Sequence, residues 1–398
     1  MGADLAKVAR MEHQTIRRGV YLIMALFCLQ PMALGAWLAL IPYIKETLQL
    51  TKFDLAIALL GMPVAVLAAL QFAGGLSTRI GVRRLVLVTF PLQCLAAFLP
   101  LIAGSQLILF FALGAFGATH AFMEVGLNVY AGRIEKKARA HIMNRCHGFW
   151  ALGLMIGSFV ATSGAGELGS VRIMAVIAVA STAAGMLAAR RLPKMGEEGA
   201  EHVVPRRKLS QMPPALLAIG GFMLLVTLAE GAMSDWSAVY LSERQSIEVA
   251  EAGIAVTIFA GFMAFGRFCG DWLKQRFGAL VLARGSVMFA LAGLACLIGP
   301  LPLVFSFVGF ALIGVGVASG YPLGVSAVAA LDDTHEAANV AIMSTCALAG
   351  FLVGPPVIGF LADAYGLKFG FAAIIPGLIA CLFLARWLIP PESGEESG

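Results

Sequence analysis

Apolar residues run through the chain in long stretches that short polar segments separate. Twelve of these stretches have roughly 18 to 28 residues, about the length that an α-helix needs to cross a bilayer. We therefore predict an all-α membrane protein with an N-terminal six-helix bundle (1–190), a linker (191–213) and a C-terminal six-helix bundle (214–398). The predicted spans are 20–43, 53–76, 84–103, 106–130, 142–164, 170–190, 214–241, 250–273, 280–299, 301–327, 339–362 and 370–390.

Composition agrees with a polytopic membrane protein and disagrees with a soluble domain. Of the 398 residues, 60% are hydrophobic and only 13% are charged, and the mean hydropathy is +0.88. A soluble chain of this length does not have such values. The seven cysteines lie in or beside apolar stretches without metal-ligand spacing. We therefore expect no disulfide, no metal site and no other cofactor.

Basic residues are distributed unequally between the two sides of the predicted membrane domain. All but five of the 28 lysines and arginines fall on the side that holds both termini and the linker. The positive-inside rule then predicts that the termini and the linker are cytoplasmic. This clustering also explains the net charge of +5 without a nucleic-acid partner. The first apolar stretch begins at Val20 and is longer than a signal-peptide core, so we interpret it as an uncleaved helix.

The two halves of the sequence carry an internal repeat. Residues 76–81 (LSTRIG) match residues 273–278 (LKQRFG) at an offset of 276 − 79 = 197. Several matches at one offset, close to half of the chain, predict two parallel bundles related by a pseudo-twofold axis along the membrane normal. The other pairs at this offset are Gly153 with Gly350, Gly157 with Gly354, Gly117 with Gly314, and Tyr43 with Tyr240.

One polar stripe interrupts the apolar stretch of residues 106–130. His120, Glu124 and Asn128 are four residues apart, so on a helix they lie on one face. A carboxylate at this depth is costly and normally faces a cavity or a partner. We interpret Glu124 as a protonatable functional residue. The alternative is a structural hydrogen-bond cluster that ties helices together.

Twelve spans in two parallel halves resemble the major facilitator superfamily. The segment Gly74–Arg84 after span two is similar to the signature loop of that superfamily, with Thr78 where the signature has Asp. Glu124-Val-Gly-Leu-Asn128 is similar to the Glu-x-x-x-Asn of fucose permease-like transporters, whose Glu is implicated in proton coupling. The resemblance implies a transporter in which spans one, four, seven and ten line a central cavity.

Three further segments resemble a bacterial subgroup of that superfamily. Residues 147–153 (HGFWALG), 230–236 (EGAMSDW) and 350–356 (GFLVGPP) look like the YbjJ-like subgroup. Fucose permeases also carry an acid on helix one, where this chain has Leu38. The residue 197 positions later is Asp235, so the missing acid has a candidate counterpart on span seven.

The polar residues of the implied cavity helices are the candidates for function. Glu230 and Asp235 are five residues apart, about 140° around a helix, so both cannot point directly into a cavity. One of them is expected to line the path and the other to pair with a neighbouring helix. Candidate proton-coupling residues are Glu124, Asp235 and Glu230. Candidate substrate contacts are Gln30, Trp37, His120, Asn128, Trp236 and Tyr321, with core packing as the alternative for the aromatic residues. Gating or structural candidates are Arg79, Arg83, Arg267 and Asp271, the last two being able to pair at i, i+4.

No lysine or arginine falls in the middle third of these four helices, which favours a neutral or cationic substrate over an anion. The sequence therefore predicts a proton-coupled symporter for a sugar or another small polar metabolite, which works by alternating access as a monomer in the lipid bilayer. One alternative is an exporter of amphipathic or cationic compounds by proton antiport. Another is a receptor on the same fold that transports nothing. No nucleophile–base pair or metal cluster in the sequence predicts an enzyme.

Overall fold

The computed structural model describes residues 2–140, 142–194, 212–244, 247–331 and 335–389. Most of the predicted linker and the last nine residues lie outside these ranges. The helices before the linker are α1 (Gly2–Leu29), α2 (Met32–Thr47), α3 (Lys52–Leu59), α4 (Gly61–Ile80), α5 (Val82–Phe98), α6 (Gln106–Ala138), α7 (Met143–Leu168) and α8 (Ser170–Arg190). Those after it are α9 (Pro214–Arg244), α10 (Ile254–Ile298), α11 (Leu303–Ala318), α12 (Gly320–Ala329), α13 (Glu336–Tyr365), α14 (Leu367–Ala372) and α15 (Ile375–Leu384).

The described residues form eleven helical segments that are long and apolar enough to cross a membrane. One of them, α10, is 45 residues long. A straight helix of that length would extend about 67 Å, roughly twice the hydrocarbon thickness of a bilayer. The backbone leaves helical geometry at Gly278 (φ 81°, ψ 165°), which separates residues 254–277 from 279–298. Positive φ values favour glycine, so this residue can hold the junction without strain.

The same turn recurs at the offset that the sequence predicts. Gly81 (φ 82°) lies between α4 and α5, and Gly278 (φ 81°) follows it by 278 − 81 = 197 residues. Gly169 (φ 81°) lies between α7 and α8, and Gly366 (φ 88°) follows it by 366 − 169 = 197 residues. The repeat therefore extends from the sequence to the backbone conformation of these two pairs of turns.

The close helix contacts repeat in the same way. A Cβ built on Gly117 of α6 would lie 2.3 Å from the carbonyl oxygen of Met62. A Cβ on Gly314 of α11 would lie 2.4 Å from that of Phe259, and 259 − 62 is again 197. Only a residue without a side chain permits this approach of two backbones. The glycine spacing seen in the sequence thus marks helix–helix contacts.

We expect Gly157→Ala to destabilise the protein. A Cβ at Gly157 would lie 1.9 Å from the carbonyl oxygen of Met32, so α2 and α7 would have to separate. Overpacking of this kind costs about 1 to 3 kcal/mol. The thermal midpoint of the purified protein in detergent measures the effect. Gly75→Ala is the matched control, since nothing lies within 4 Å of a Cβ there. Equal midpoints for the two variants would show that the close contact does not matter for stability.

Four predicted spans are each divided into two helices, which the hydropathy pattern does not reveal. The apolar pattern predicts one helix over 20–43, but α1 ends at Leu29 and α2 begins at Met32. Pro31 has no N–H to donate, and its ring opposes continuation of the preceding helix. The spans predicted over 53–76, 301–327 and 370–390 are likewise divided, at Leu60, at Ser319 and at residues 373–374. Gln30 therefore lies at a break, and it shares no continuous helix with Trp37.

Contacts between the two halves occur at both ends of the helices. We call the end that holds Arg79, Arg139 and Arg190 the basic face. There, the side-chain amide of Asn144 donates to the carboxylate of Asp271. At the opposite face, Lys45 and Lys52 both pair with Glu243, with N–O distances of 2.8 and 2.9 Å. The backbone N–H of Phe53 also donates to Asp363 there, at 3.3 Å.

Candidate functional site

A hydrogen-bonded cluster lies where the first span breaks. The amide nitrogen of Gln30 is 2.9 Å from Nδ1 of His120 on α6 and donates to Oε1 of Gln93 on α5 at 3.3 Å. Gln93 in turn donates to the backbone carbonyl of Gln30 at 3.4 Å. Both glutamines are 1% exposed. This cluster ties three helices together, which is the structural alternative for His120. Sequence reasoning missed Gln93, although it is one of the few polar residues within the apolar stretch of residues 84–103.

Glu124 and Asn128 form a separate pair one turn further along α6. The side-chain amide of Asn128 donates to Oε1 of Glu124 at 3.0 Å and to the Glu124 carbonyl at 2.9 Å. The other carboxylate oxygen, Oε2, is buried and has no hydrogen-bond partner among the described residues. The polar stripe predicted from the sequence is therefore divided between a histidine that is hydrogen-bonded at Nδ1 and a carboxylate that is hydrogen-bonded on one oxygen.

A buried ion pair joins α9 and α10. Nη2 of Arg267 lies 3.0 Å from Oε1 of Glu230, and the two side chains are 8% and 6% exposed. Nη1 of Arg267 donates to the backbone carbonyl of His147 at 3.3 Å, and the guanidinium lies 5.8 Å from the ring centre of Trp150. Both of these neighbours belong to α7. One arginine from the second half of the chain thus contacts the first half.

Arg267 and Asp271 do not pair with each other, although their spacing on the helix permits it. Arg267 pairs with Glu230 on another helix, while Asp271 accepts its hydrogen bond from Asn144. The buried carboxylate attracts the guanidinium more strongly than an exposed one would, because the low dielectric strengthens the interaction. Of the two acids on span seven, Glu230 is therefore the one that pairs with a neighbouring helix, and Asp235 is half-buried.

A basic side chain lies beside buried Glu230, although spans one, four, seven and ten contain none in their middle thirds. Arg267 comes from the helix after span seven, yet its guanidinium lies beside Glu230 and Trp150. The hydropathy pattern alone could not show that this residue faces inward. The absence of basic residues from those four spans therefore no longer disfavours an anion. The charge of Arg267 is matched by Glu230, so the pair adds no net charge.

Comparison with known proteins decides the family. The model of the Major Facilitator Superfamily matches residues 22–340, about four fifths of the chain. The chain belongs to the Major Facilitator Superfamily.

Relatives and solved structures agree with this assignment. The chain is 28% identical over 363 residues to an uncharacterized MFS-type transporter of Yersinia pestis, covering 90% of this chain and 93% of that protein. It is 27% identical over 343 residues to the membrane protein MosC of Rhizobium meliloti, covering 86% of this chain and 83% of the other. This superfamily member is thus a multi-pass membrane protein related to transporters. The YbjJ-like subgroup and the fucose permease-like features stay predictions.

Two solved structures show the same fold. A single-residue mutant of the nucleoside transporter NupG aligns with a TM-score of 0.72 at 13% identity, covering 93% of this chain and 98% of that one. A bacterial homolog of the human lysosomal transporter Spinster, in an inward-facing and unoccupied conformation, aligns with a TM-score of 0.71 at 15% identity. That match covers 94% of this chain and 98% of the other. At these identities, the likeness concerns the fold alone.

The two tryptophans proposed as substrate contacts lie in the core of this transporter. Trp37 is 1% exposed and Trp236 is fully buried. Nε1 of Trp236 donates to the carbonyl of Pro355 at 2.9 Å, which satisfies its only polar group. This packing favours the core alternative for both residues in the present conformation. Tyr321 differs, because it is half-buried and its ring centroid lies 5.9 Å from that of His147 in the other half.

The basic residues near the superfamily's signature loop lie at the basic face. Arg79 is exposed. Nη2 of Arg83 donates to the carbonyl of Arg190 at 2.6 Å and so joins the start of α5 to the end of α8. Arg83 therefore makes a structural contact within the first half. A cavity of about 30 Å³ also opens near this face, between Asn144, Arg267 and Ser319, and it has room for about one water molecule.

Proposed function

We propose that this transporter moves a small neutral or polar solute, of sugar or metabolite type, by proton-coupled alternating access. The observation that carries the proposal is the buried Oε2 of Glu124, which has no partner among the described residues. Charge on a buried carboxylate without a donor is costly, and a proton on Oε2 removes that cost. When the site opens to water, hydration stabilises the charged carboxylate, so the proton can leave Oε2. Glu124 can therefore load and release a proton as the protein changes conformation.

The charges around Glu124 support a neutral solute. Arg267 and Glu230 neutralise each other at 3.0 Å. When Glu124 carries a proton, these three groups have no net charge, so an uncharged solute enters without a further charge being buried. An anion would meet Glu124 and Glu230, and a cation would meet Arg267. Coupling then follows if the proton and the solute are carried in the same conformational change.

The architecture proposed with this function has twelve spans in two bundles. Division of α10 at Gly278 raises the eleven candidate segments to twelve. The recurrence of the turns at Gly81 and Gly278, and at Gly169 and Gly366, supports two equivalent bundles over residues 1–190 and 214–398. The basic face is proposed to be cytoplasmic, together with both termini and the linker 191–213. The protein is proposed to act as a monomer in the bacterial inner membrane.

A ligand screen followed by a flux measurement tests the proposal. The probes are D-glucose, D-mannitol, uridine and tetraphenylphosphonium, with uridine included because a nucleoside transporter shares the fold. A ligand that binds only the folded protein raises its thermal midpoint. We expect a neutral probe to do so and then to accumulate in proteoliposomes under an imposed proton gradient. A bound probe that never accumulates would contradict the transporter and favour a receptor.

The exporter of cationic compounds is the second candidate. The observation that favours it is a group of aromatic rings near Arg267, in which the ring of His147 lies 5.7 Å from that of Phe27 and 5.9 Å from that of Tyr321. Aromatic faces attract cations. Stabilisation by tetraphenylphosphonium alone, with transport out of cells against a proton gradient, would support this candidate over the symporter.

A further inference from the structure

Two buried N–H groups without hydrogen-bond partners belong to neighbouring residues from the two halves of the chain. They are Nε of Arg267 and Nε1 of Trp150, and neither has a hydrogen bond within the described ranges. The guanidinium of Arg267 lies 5.8 Å from the ring centre of Trp150. Buried tryptophan N–H groups usually find a partner, and an unpaired buried donor is costly. These two N–H groups therefore offer hydrogen bonds that no described residue of the chain accepts.

The other groups of Arg267 hold it in place. Nη2 pairs with Glu230 at 3.0 Å, and Nη1 donates to the carbonyl of His147 at 3.3 Å. These bonds come from different halves of the chain, so they fix the orientation of the guanidinium. Nη1 and Nη2 each have a partner, whereas Nε has none among the described residues. The same guanidinium covers the face of the Trp150 ring, whose N–H also has no partner there.

We propose that Arg267 and Trp150 bind oxygen atoms of the transported solute, which is an uncharged molecule with hydroxyl or carbonyl groups. This inference rests on the proposed function and gives its solute a binding site. The N–H groups of the two residues donate to the solute. Trp150 comes from α7 and Arg267 from α10, so one solute bridges the two halves. Bridging favours the closed arrangement that alternating access requires.

Conservative variants test this site without removal of its charge or its ring. Trp150→Phe removes the N–H and keeps an aromatic face, while Arg267→Lys removes Nε and keeps a cation for Glu230. Their controls are Trp272→Phe and Arg276→Lys, since both residues are exposed on α10. Dissociation constants are measured on the purified full-length protein with D-glucose, D-mannitol, uridine, D-glucuronate and tetraphenylphosphonium. We expect a neutral probe to bind about tenfold more weakly to each site variant, with unchanged binding to both controls.

The ligand-free thermal midpoint separates a binding defect from a folding defect. Trp150→Phe should keep it. If Arg267→Lys lowers the ligand-free midpoint, the double variant Arg267→Met with Glu230→Gln is used in its place. This variant replaces both partners of the ion pair, and we expect the same loss of binding.

Several outcomes would contradict the proposal that Arg267 and Trp150 bind the solute. Equal affinity of a neutral probe for the wild type and both site variants would do so, as would binding of D-glucuronate or tetraphenylphosphonium alone. Binding of no probe at all would reject the ligand class. The proposed function fails separately, when a neutral probe binds through Arg267 and Trp150 yet does not cross the membrane in proteoliposomes.

Discussion

Glu124→Gln is expected to abolish proton-driven accumulation of the solute while it leaves exchange of solute across the membrane intact. Glutamine keeps the size of the side chain and can still contact Asn128, which lies 3.0 Å from Oε1. It cannot gain or lose a proton, so the conformational change no longer carries one. We expect uphill accumulation in proteoliposomes to fall at least about 100-fold, since coupling requires that proton.

The control is the same substitution at an exposed glutamate. Glu167→Gln near the end of α7 should accumulate solute as the wild type does. Exchange is measured with labelled solute on one side and unlabelled solute on the other, without a proton gradient. If Glu124→Gln still accumulates solute uphill, Glu124 does not couple transport to protons. Loss of exchange together with accumulation would assign it to solute binding or structure instead.

Arg267→Ala is expected to destabilise the protein more than Gly157→Ala does. Its partner Glu230 is 6% exposed on its side chain, so removal of the guanidinium leaves a buried carboxylate without its counter-charge. Breaking a buried ion pair in this way costs about 3 to 5 kcal/mol. The same change also removes the bond to the His147 carbonyl, which joins α10 to α7. The thermal midpoint and the yield of monodisperse protein in detergent measure the effect.

A second substitution distinguishes this cause from simple loss of packing. Glu230→Gln in the Arg267→Ala background removes the stranded charge, so it should recover much of the lost stability. Arg276→Ala, on the exposed side of the same helix, should have little effect. If the double variant is no more stable than Arg267→Ala, then the stability lost in Arg267→Ala comes from packing of the long arginine side chain and not from the ion pair.

Much of the architecture follows from hydropathy and from the repeat. The apolar stretches predict the membrane helices because lipid contact requires continuous apolar surface. The offset of 197 residues also predicts which turns and glycine contacts recur, as Gly81 with Gly278 shows. The break at Gln30 and Pro31 was not predicted, because proline occurs in both continuous and interrupted membrane helices.

The site was predicted less completely than the fold. Glu124 and Asn128 are hydrogen-bonded, as expected for residues four apart on a helix, because that contact is local. The partners of Arg267 come from α7 and α9, and a single sequence does not say which helices meet. Trp150 was overlooked for the same reason, since its importance depends on an arginine 117 positions away (267 − 150). Tertiary contacts decide such roles, and local patterns do not contain them.

The most direct test of proton-coupled transport is simultaneous measurement of solute and proton movement in wild-type proteoliposomes. The solute is the neutral probe that stabilises the protein, it is added outside without any imposed gradient, and a trapped pH-sensitive dye reports the interior. We predict that the interior becomes more acidic as the solute enters, and that Glu124→Gln abolishes this acidification. Entry of solute with no change of internal pH would contradict proton coupling, and alkalinisation of the interior would indicate antiport.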